Sequence, residues 1–385
     1  MPRKSIGVVT SSRADYGHLY WPLRELQALP NIELSIIALA AHLSPEYGHT
    51  VEQIRADGFK VTDTIECLLS SDSDVGMAKT LGLATLGMAD SLARLRPDLL
   101  LLIADRYEML GPACAALTLR IPVAHIEGGD VSLGAIDDTV RNALTKMSHL
   151  HFTPTSTATR RVIAMGEEPW RVHQVGAPSL DHLRRSTLPG REELETLLGT
   201  VLRAPLRVVA YHPVTMHADT THEAQALFDA LKELDGQIHL CFPNADAGSH
   251  RLIAQAKTLG TQRPDTHVHV NLPHLAYWAL LKTADVLIGN SSSGIMESPS
   301  LGLPTINIGA RQEGRDRAGN IIDTPADREA IIAAVAEAAS DTFRQRAATI
   351  SNPYGDGTAG TRIARILAQT PCDRRLFVKR PVPPL

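Results

Sequence analysis

Cysteine is scarce and scattered. Cys67, Cys114, Cys241 and Cys372 stand far apart and form no CxxC pair, which excludes a zinc ribbon and leaves no disulfide framework, so the expected setting is a reducing, cytoplasmic one. No apolar run is long enough to span a membrane. In the opening MPRKSIGVVTSS, the run Ile6 to Val9 is too short for the apolar part of a signal peptide and reads as a first strand. Positive charge is not in excess either: a formal net charge of -4 argues against a nucleic-acid footprint, and any anionic ligand must be met locally. Two cofactor signatures are missing. The loop after the first strand is not GxGxxG, and the only Walker-like spacing, Gly82 to Gly87, lacks the following lysine.

What remains is the composition of a soluble globular protein, 44% hydrophobic and 21% charged. At 385 residues the chain exceeds one ordinary core and predicts two domains with a ligand cleft between them. Short β-rich runs alternate with helical patterns. SIGVVT is followed by a helix from about Asp15 to Leu29, IELSIIAL by a helix near Glu46 to Ala56, and a helix near Gly76 to Leu95 leads to the strand Asp98 to Ile103. A helix near Glu108 to Leu119 and the strand Ile121 to Ile126 continue the rhythm. Runs apolar on both faces belong to parallel sheets covered by helices.

After RVHQVG (Arg171 to Gly176) comes a polar stretch ending near Pro205, and the rhythm restarts with LRVVAYH, QIHLCF, THVHVNL, DVLIGN and PTINIG as strands. Helices are expected near Glu223 to Glu233, His250 to Leu259, His274 to Lys282, Gly294 to Leu301 and Thr358 to Gln369, and the proline-rich end is expected to be extended. The expected organisation is an N-terminal Rossmann-like domain over 1–178, a C-terminal one over 179–365, and a tail over 366–385 packing back on the first domain.

In open parallel sheets, ligands bind beyond the carboxyl ends of the strands. The loops there are polar or glycine-rich. GNSSSG (Gly289 to Gly294) offers Ser291, Ser292, Ser293 and the N–H groups of a helix start, which together suit a diphosphate better than a cap alone requires. Glu297, one turn on, can accept bonds from ribose hydroxyls or complement the helix dipole. Arg311 and Arg315 in GARQEGR have the fork geometry for phosphate, although a solvated basic loop is the plainer reading of that segment alone. Arg13 stands where the first strand ends. His212 follows LRVVA; a packing role is the commoner one for such a histidine, but facing a diphosphate its imidazolium would assist a leaving group. His125 and Glu127 resemble a fragment of a deaminase zinc motif, but no PCxxC follows, so no metal is expected.

Carboxylates crowd the stretch VAHIEGGDVSLGAIDDTVR. Asp137 and Arg141, four apart, share one face if the segment is helical, which need be no more than a surface ion pair with Asp138 the solvated member. Glu127 ends a buried strand and is followed by Gly128 and Gly129, which would let a ligand approach the backbone. With Asp105 at the neighbouring strand end, Glu127 and Asp137 can converge on one small neutral group, and crowded carboxylates separate into acid and base near neutral pH.

Taken together, SSRADYG, AHLSPEYGHT, ADRYE, PVAHIEGGD, DDTVRNALTKMSHLHF, HPVT, PNADAG, GNSSSGIMESPSLGLPTINIGARQEGR and NPYGDG resemble, in order and over nearly the whole chain, the UDP-N-acetylglucosamine 2-epimerase family in its hydrolysing, sialic-acid-pathway branch. Pro213-Val214-Thr215 in place of an arginine-rich motif, and Asp137-Asp138 in place of glutamates, favour that branch. The resemblance implies two Rossmann-like doubly wound domains in the GT-B arrangement, no cofactor, a UDP-sugar substrate and a homodimer or homotetramer. It implies that Asp105, Glu127 and Asp137 surround the sugar, that His212 lies near the leaving diphosphate, and that Arg13, Arg106, Arg141, Asn244, Ser291, Ser292, Ser293, Gly294, Glu297, Arg311 and Arg315 bind substrate. The implied reaction converts UDP-GlcNAc and water to N-acetylmannosamine and UDP through a glycal. Alternatives are the same chemistry on a UDP- or GDP-linked 2,4-diacetamido-2,4,6-trideoxyglucose, a GT-B glycosyltransferase, and a noncatalytic nucleotide-sugar sensor, the last disfavoured by the surplus of carboxylates.

Overall fold

A computed structural model describes residues 3–70, 73–133, 136–212, 221–242, 249–270 and 272–380. The chain divides into two compact units. Met1–Asp130, Ile136–Asp181 and Tyr354–Leu385 form the first, and Val131–Ala135 with His182–Pro353 the second.

The first unit is built on seven strands: β1 (Lys4–Thr10), β2 (Ile32–Leu39), β3 (Val61–Ile65), β4 (Leu99–Ile103), β5 (Val123–Ile126), β6 (Leu150–Thr153) and β7 (Val172–Gln174). They lie in the order β3-β2-β1-β4-β5-β6-β7, every neighbouring pair parallel. Central strands are covered on both faces, so they carry apolar residues at every position rather than every second one. All five residues of β4, LLLLI, are buried, as are all four of β5.

Six parallel strands form the second unit's sheet: β8 (Leu206–Ala210), β9 (Gln237–Phe242), β10 (Thr266–Val270), β11 (Val286–Gly289), β12 (Thr305–Ile308) and β13 (Ile321–Thr324), ordered β10-β9-β8-β11-β12-β13. Its core lies on two faces. Val208 and Ala210 pack with Trp278 and Leu280 on one, and Val209 and Tyr211 with Phe228, Leu231 and Ile331 on the other. Both sheets are doubly wound, reversing direction at β1/β4 and at β8/β11.

Several elements differ from expectation, each for a local reason. The helix expected over Glu46 to Ala56 is a 3-10 turn Pro45–Tyr47 and a helix Val51–Ala56, separated at Gly48 with φ +83°. That expected over Gly294 to Leu301 is one turn Ser293–Met296 and a 3-10 turn Ser298–Leu301, because Pro299 cannot donate to the first turn. The chain joins the first unit again at Tyr354, not at 366. Buried Tyr354 accepts a bond from the Ala177 amide at 2.7 Å, and Asp181 accepts the amides of Ala359 and Gly360 at 2.9 and 2.8 Å, which starts the helix Ala359–Gln369 against the first unit's own surface. Buried Arg171 then donates to the carbonyls of Arg375, Leu376 and Val378. The tail is not wholly extended, since Arg374–Phe377 is helical, and the proline-rich end at 381–385 lies outside the described residues. Among the described residues no helix is long and apolar enough to cross a membrane.

Candidate active site

In the first unit, the ends of β4 and β5 turn sharply. Ala104 and Glu127 follow these strands with φ of +58° and +65°, a left-handed conformation costly for residues other than glycine. One side chain braces the first of these turns. His125, fully buried in β5, donates from Nε2 to the Ala104 carbonyl at 2.7 Å and meets the Thr145 hydroxyl at Nδ1. Burial holds its pKa down to about 4, so it is a neutral strut. Gly129, at φ +79°, would bring a Cβ within 2.4 Å of the Ala158 carbonyl, and a Cβ on Gly128 would press on Thr145 and His125. Gly129 is therefore required by the protein's own packing, and Gly128 is closely packed beside it.

The carboxylates acquire basic partners here. His18 Nδ1 and Glu127 Oε1 are 2.8 Å apart, with Glu127 12% exposed and His18 30%. Arg141, buried on the helix Ile136–Met147, donates to Asp105 and lies 3.8 Å from Asp138, to which Asn142 also donates. Asp138 is thus half-buried and held by Arg141 and Asn142, a correction to its expected solvated role. Asp137, half-buried in the first turn of the same helix, lies on the same end of the unit. Arg106 donates to fully buried Glu108 at 2.9 Å. Asp15 accepts from the Ser11 hydroxyl, and burial raises its carboxyl above the usual range against the pull of Arg106. Arg13 is exposed at the start of the helix Arg13–Ala28.

In the second unit, the switch point is closed by an amide. The His212 amide donates to Asn290 Oδ1 at 2.7 Å, and Asn290 Nδ2 donates to the His212 carbonyl at 2.8 Å, tying the end of β8 to the end of β11. The close approach needs Gly289, whose φ of +144° would put a Cβ 2.0 Å from the Ala210 carbonyl. Arg311 and Gln312 both donate to the Asn290 carbonyl. Ser291, Ser293 and Tyr277 form a hydroxyl chain, at 3.1 and 2.8 Å. Several amides expected to be available for phosphate are used internally: those of Asn290 and Ser291 by the Ala210 carbonyl, and that of Gly294 by Ser291. Ser292 is half-buried and Glu297 buried. Arg315 donates to the Val131 carbonyl at 2.9 Å and touches the Met296 sulfur.

Burial, with Arg311 adding to it, holds His212 down to about 3. His212 is therefore neutral at pH 7 in this environment. Asn244 lies outside the described residues, as do Pro213 to Thr215. Among the described residues no cluster of three or more His, Cys, Asp or Glu side chains forms a metal site.

Three contributors escaped the sequence reading: His18, Asn290 and Tyr277. His18 sits in the quoted motif's helix, but nothing in its spacing announces that it reaches Glu127. Asn290 lies inside GNSSSG, where the serines drew all the weight.

Two Rossmann-like units, one ending its strands in partnered carboxylates and the other in hydroxyl, amide and guanidinium groups, define a two-unit, doubly wound α/β protein. Residues 24–368 match the family described as UDP-N-acetylglucosamine 2-epimerase. A "UDP-N,N'-diacetylbacillosamine 2-epimerase (hydrolyzing)" of Legionella pneumophila is 36% identical over 98% of this chain and 99% of its own. A "GDP/UDP-N,N'-diacetylbacillosamine 2-epimerase (hydrolyzing)" of Campylobacter jejuni is 36% identical over 84% and 85%. In fold, the chain matches the crystal structure of UDP-GlcNAc 2-epimerase from Neisseria meningitidis bound to UDP-GlcNAc, with a TM-score of 0.79 over 95% of this chain and all of that one, at 18% identity. The chain belongs to the UDP-N-acetylglucosamine 2-epimerase family, in its hydrolysing branch. It is an enzyme, a hydrolysing nucleotide-sugar 2-epimerase.

Proposed function

We propose that the substrate is a UDP-linked 2,4-diacetamido-2,4,6-trideoxyglucose, released with water as the free 2-epimer and UDP. The observation that carries this reading is the 36% identity, over almost the full length of both chains, to a hydrolysing epimerase named for that sugar. It takes precedence over the expected UDP-GlcNAc, whose product would be N-acetylmannosamine.

An unactivated C2 proton becomes removable when the C1 substituent departs. The C1–O electron pair leaves with UDP, a carboxylate takes the C2 proton, and a glycal forms; water then adds at C1 while a proton returns to C2 from the opposite face. Glu127 is the group we assign to the C2 proton. Asp105 is bonded to buried Arg141, a permanent cation that holds its carboxylate in place. It suits instead the stabilisation of positive charge developing at C1, with Asp137 assisting the return of the proton. In the second unit, the serine loop, Arg311 and His212 receive the diphosphate. A phosphate charge beside His212 favours the imidazolium, so the leaving group itself converts the neutral ring into an acid.

The test is to incubate the protein with each UDP-sugar in D2O and follow C1 and C2 by NMR. Free 2-epimer deuterated at C2, formed faster from the diacetamido sugar, is the expected result. Faster turnover of UDP-GlcNAc returns the substrate to the simpler sugar, and a nucleotide-linked epimer in equilibrium with substrate excludes hydrolysis.

A further inference from the structure

We infer that His18 is the positioning residue of Glu127, holding one carboxylate oxygen so that the other is presented, ionised, to the C2 hydrogen. This rests on the acid–base role proposed for Glu127. A carboxylate oxygen only accepts, so the ring nitrogen 2.8 Å from it, Nδ1, carries the hydrogen. Donation to Oε1 fixes the rotation of the carboxylate and favours its charged form, leaving Oε2 for the proton.

The surrounding geometry makes that donor specific. Glu127 leaves β5 in a left-handed turn, its amide donating to the Phe152 carbonyl at 2.8 Å, and its carboxylate meets His18 in the second turn of the helix Arg13–Ala28. On the helix Arg13–Ala28, Tyr16 donates to Asp57 and Arg24 to Tyr20 and the Asp57 carbonyl, and Glu25 lies two turns beyond His18. His125 is a buried neutral strut, Asp15 is tied to Ser11, and Asp105 and Asp138 share Arg141. Arg13 is exposed at the helix start, Asp130 is buried after the two glycines, and Asp137 occupies the next helix. His18 is the histidine that contacts the Glu127 carboxylate directly, and at 30% exposure it keeps an edge toward solvent.

The variants His18→Ala and His18→Asn separate position from bulk, since the Asn amide nitrogen can occupy the Nδ1 place. His18→Ala is expected to lower kcat on the order of 10²-fold with KM within a few-fold, the usual consequence of a misplaced reacting group. Its C2-deuterium isotope effect rises and the acidic limb of its kcat/KM profile moves to higher pH, while His18→Asn recovers at least tenfold of the loss. Equal kcat for His18→Ala and the parent, or a loss that is confined to KM, overturns the inference.

A second measurement needs no turnover. Side-chain 15N NMR of the whole protein is expected to show His18 as the Nδ1–H tautomer or the cation, and this preference is lost in Glu127→Gln. An Nε2–H tautomer overturns the pairing. If the pair is present but neither UDP-sugar is processed, the proposed substrate fails and the pairing stands.

Discussion

The two sheets are wound alike and finished differently. At the β1/β4 end, and on the neighbouring β5, the first unit places carboxylates and gives them basic partners: Arg141 for Asp105 and Asp138, His18 for Glu127. At the β8/β11 end, the second unit places an Asn290–His212 backbone clasp, a Ser291–Ser293–Tyr277 hydroxyl chain and the Arg311 guanidinium, with Glu297 buried one turn on. The same topology thus delivers a different set of groups. Winding decides where side chains converge, whereas the few residues after each strand decide whether that place handles protons or anions.

The largest effect that can break this contrast is at Glu127. Glu127→Gln is expected to lower kcat at least 10³-fold while UDP binding, followed by calorimetry, stays within a few-fold; near-normal turnover would remove Glu127 from the chemistry. Arg141→Met comes next. It strands Asp105 and Asp138 together, so both activity, by about 10²-fold, and unfolding free energy, by about 3 kcal/mol, are expected to fall. A urea titration unchanged from the parent would mean that Arg141 holds neither carboxylate.

Asn290→Ala is the counterpart in the second unit. Losing the clasp to the His212 backbone is expected to weaken UDP binding about tenfold, the loss of about 1.4 kcal/mol of hydrogen bonding, with smaller change in kcat of saturated enzyme. Unchanged UDP affinity would show that the clasp serves folding alone.

The smallest effect per group is in pH, where the units should agree. Burial is the first cause of lowered pKa at His42, His125 and His149 in the first unit, each to about 4, and in the second at His212 and His239, to about 3, and His269, to about 4. The unfolded chain takes up these protons near pH 6.5 and the folded chain only below 4. Stability is therefore complete above 6.5 and is lost as pH falls from there toward 3 to 4. Between pH 7 and 6 each such histidine removes about 0.7 kcal/mol, and hydrogen exchange in both units should register it. A unit whose protection is flat across that range does not hold its histidines neutral.

Sequence by itself determined the two parallel α/β units, because strands buried on both faces are apolar at most or all positions, as in LLLLI and, but for His125, VAHI. It also placed Asp105, Glu127 and His212 in the loops just after strand ends. Weaker or shorter runs gave no such signal: β3, VTDTI, reads as polar because it is an edge strand, and β13 is only four residues long. Tertiary structure alone decided the partners. Arg141 reaches Asp105, 36 positions back, His18 reaches Glu127 across 109, and Asn290 clasps His212 across 78. Such pairings depend on which strands lie side by side and how each chain leaves its strand. It likewise decided that Gly129 serves packing and that His212 is neutral at rest, since desolvation and close approach arise only when distant segments have been brought together.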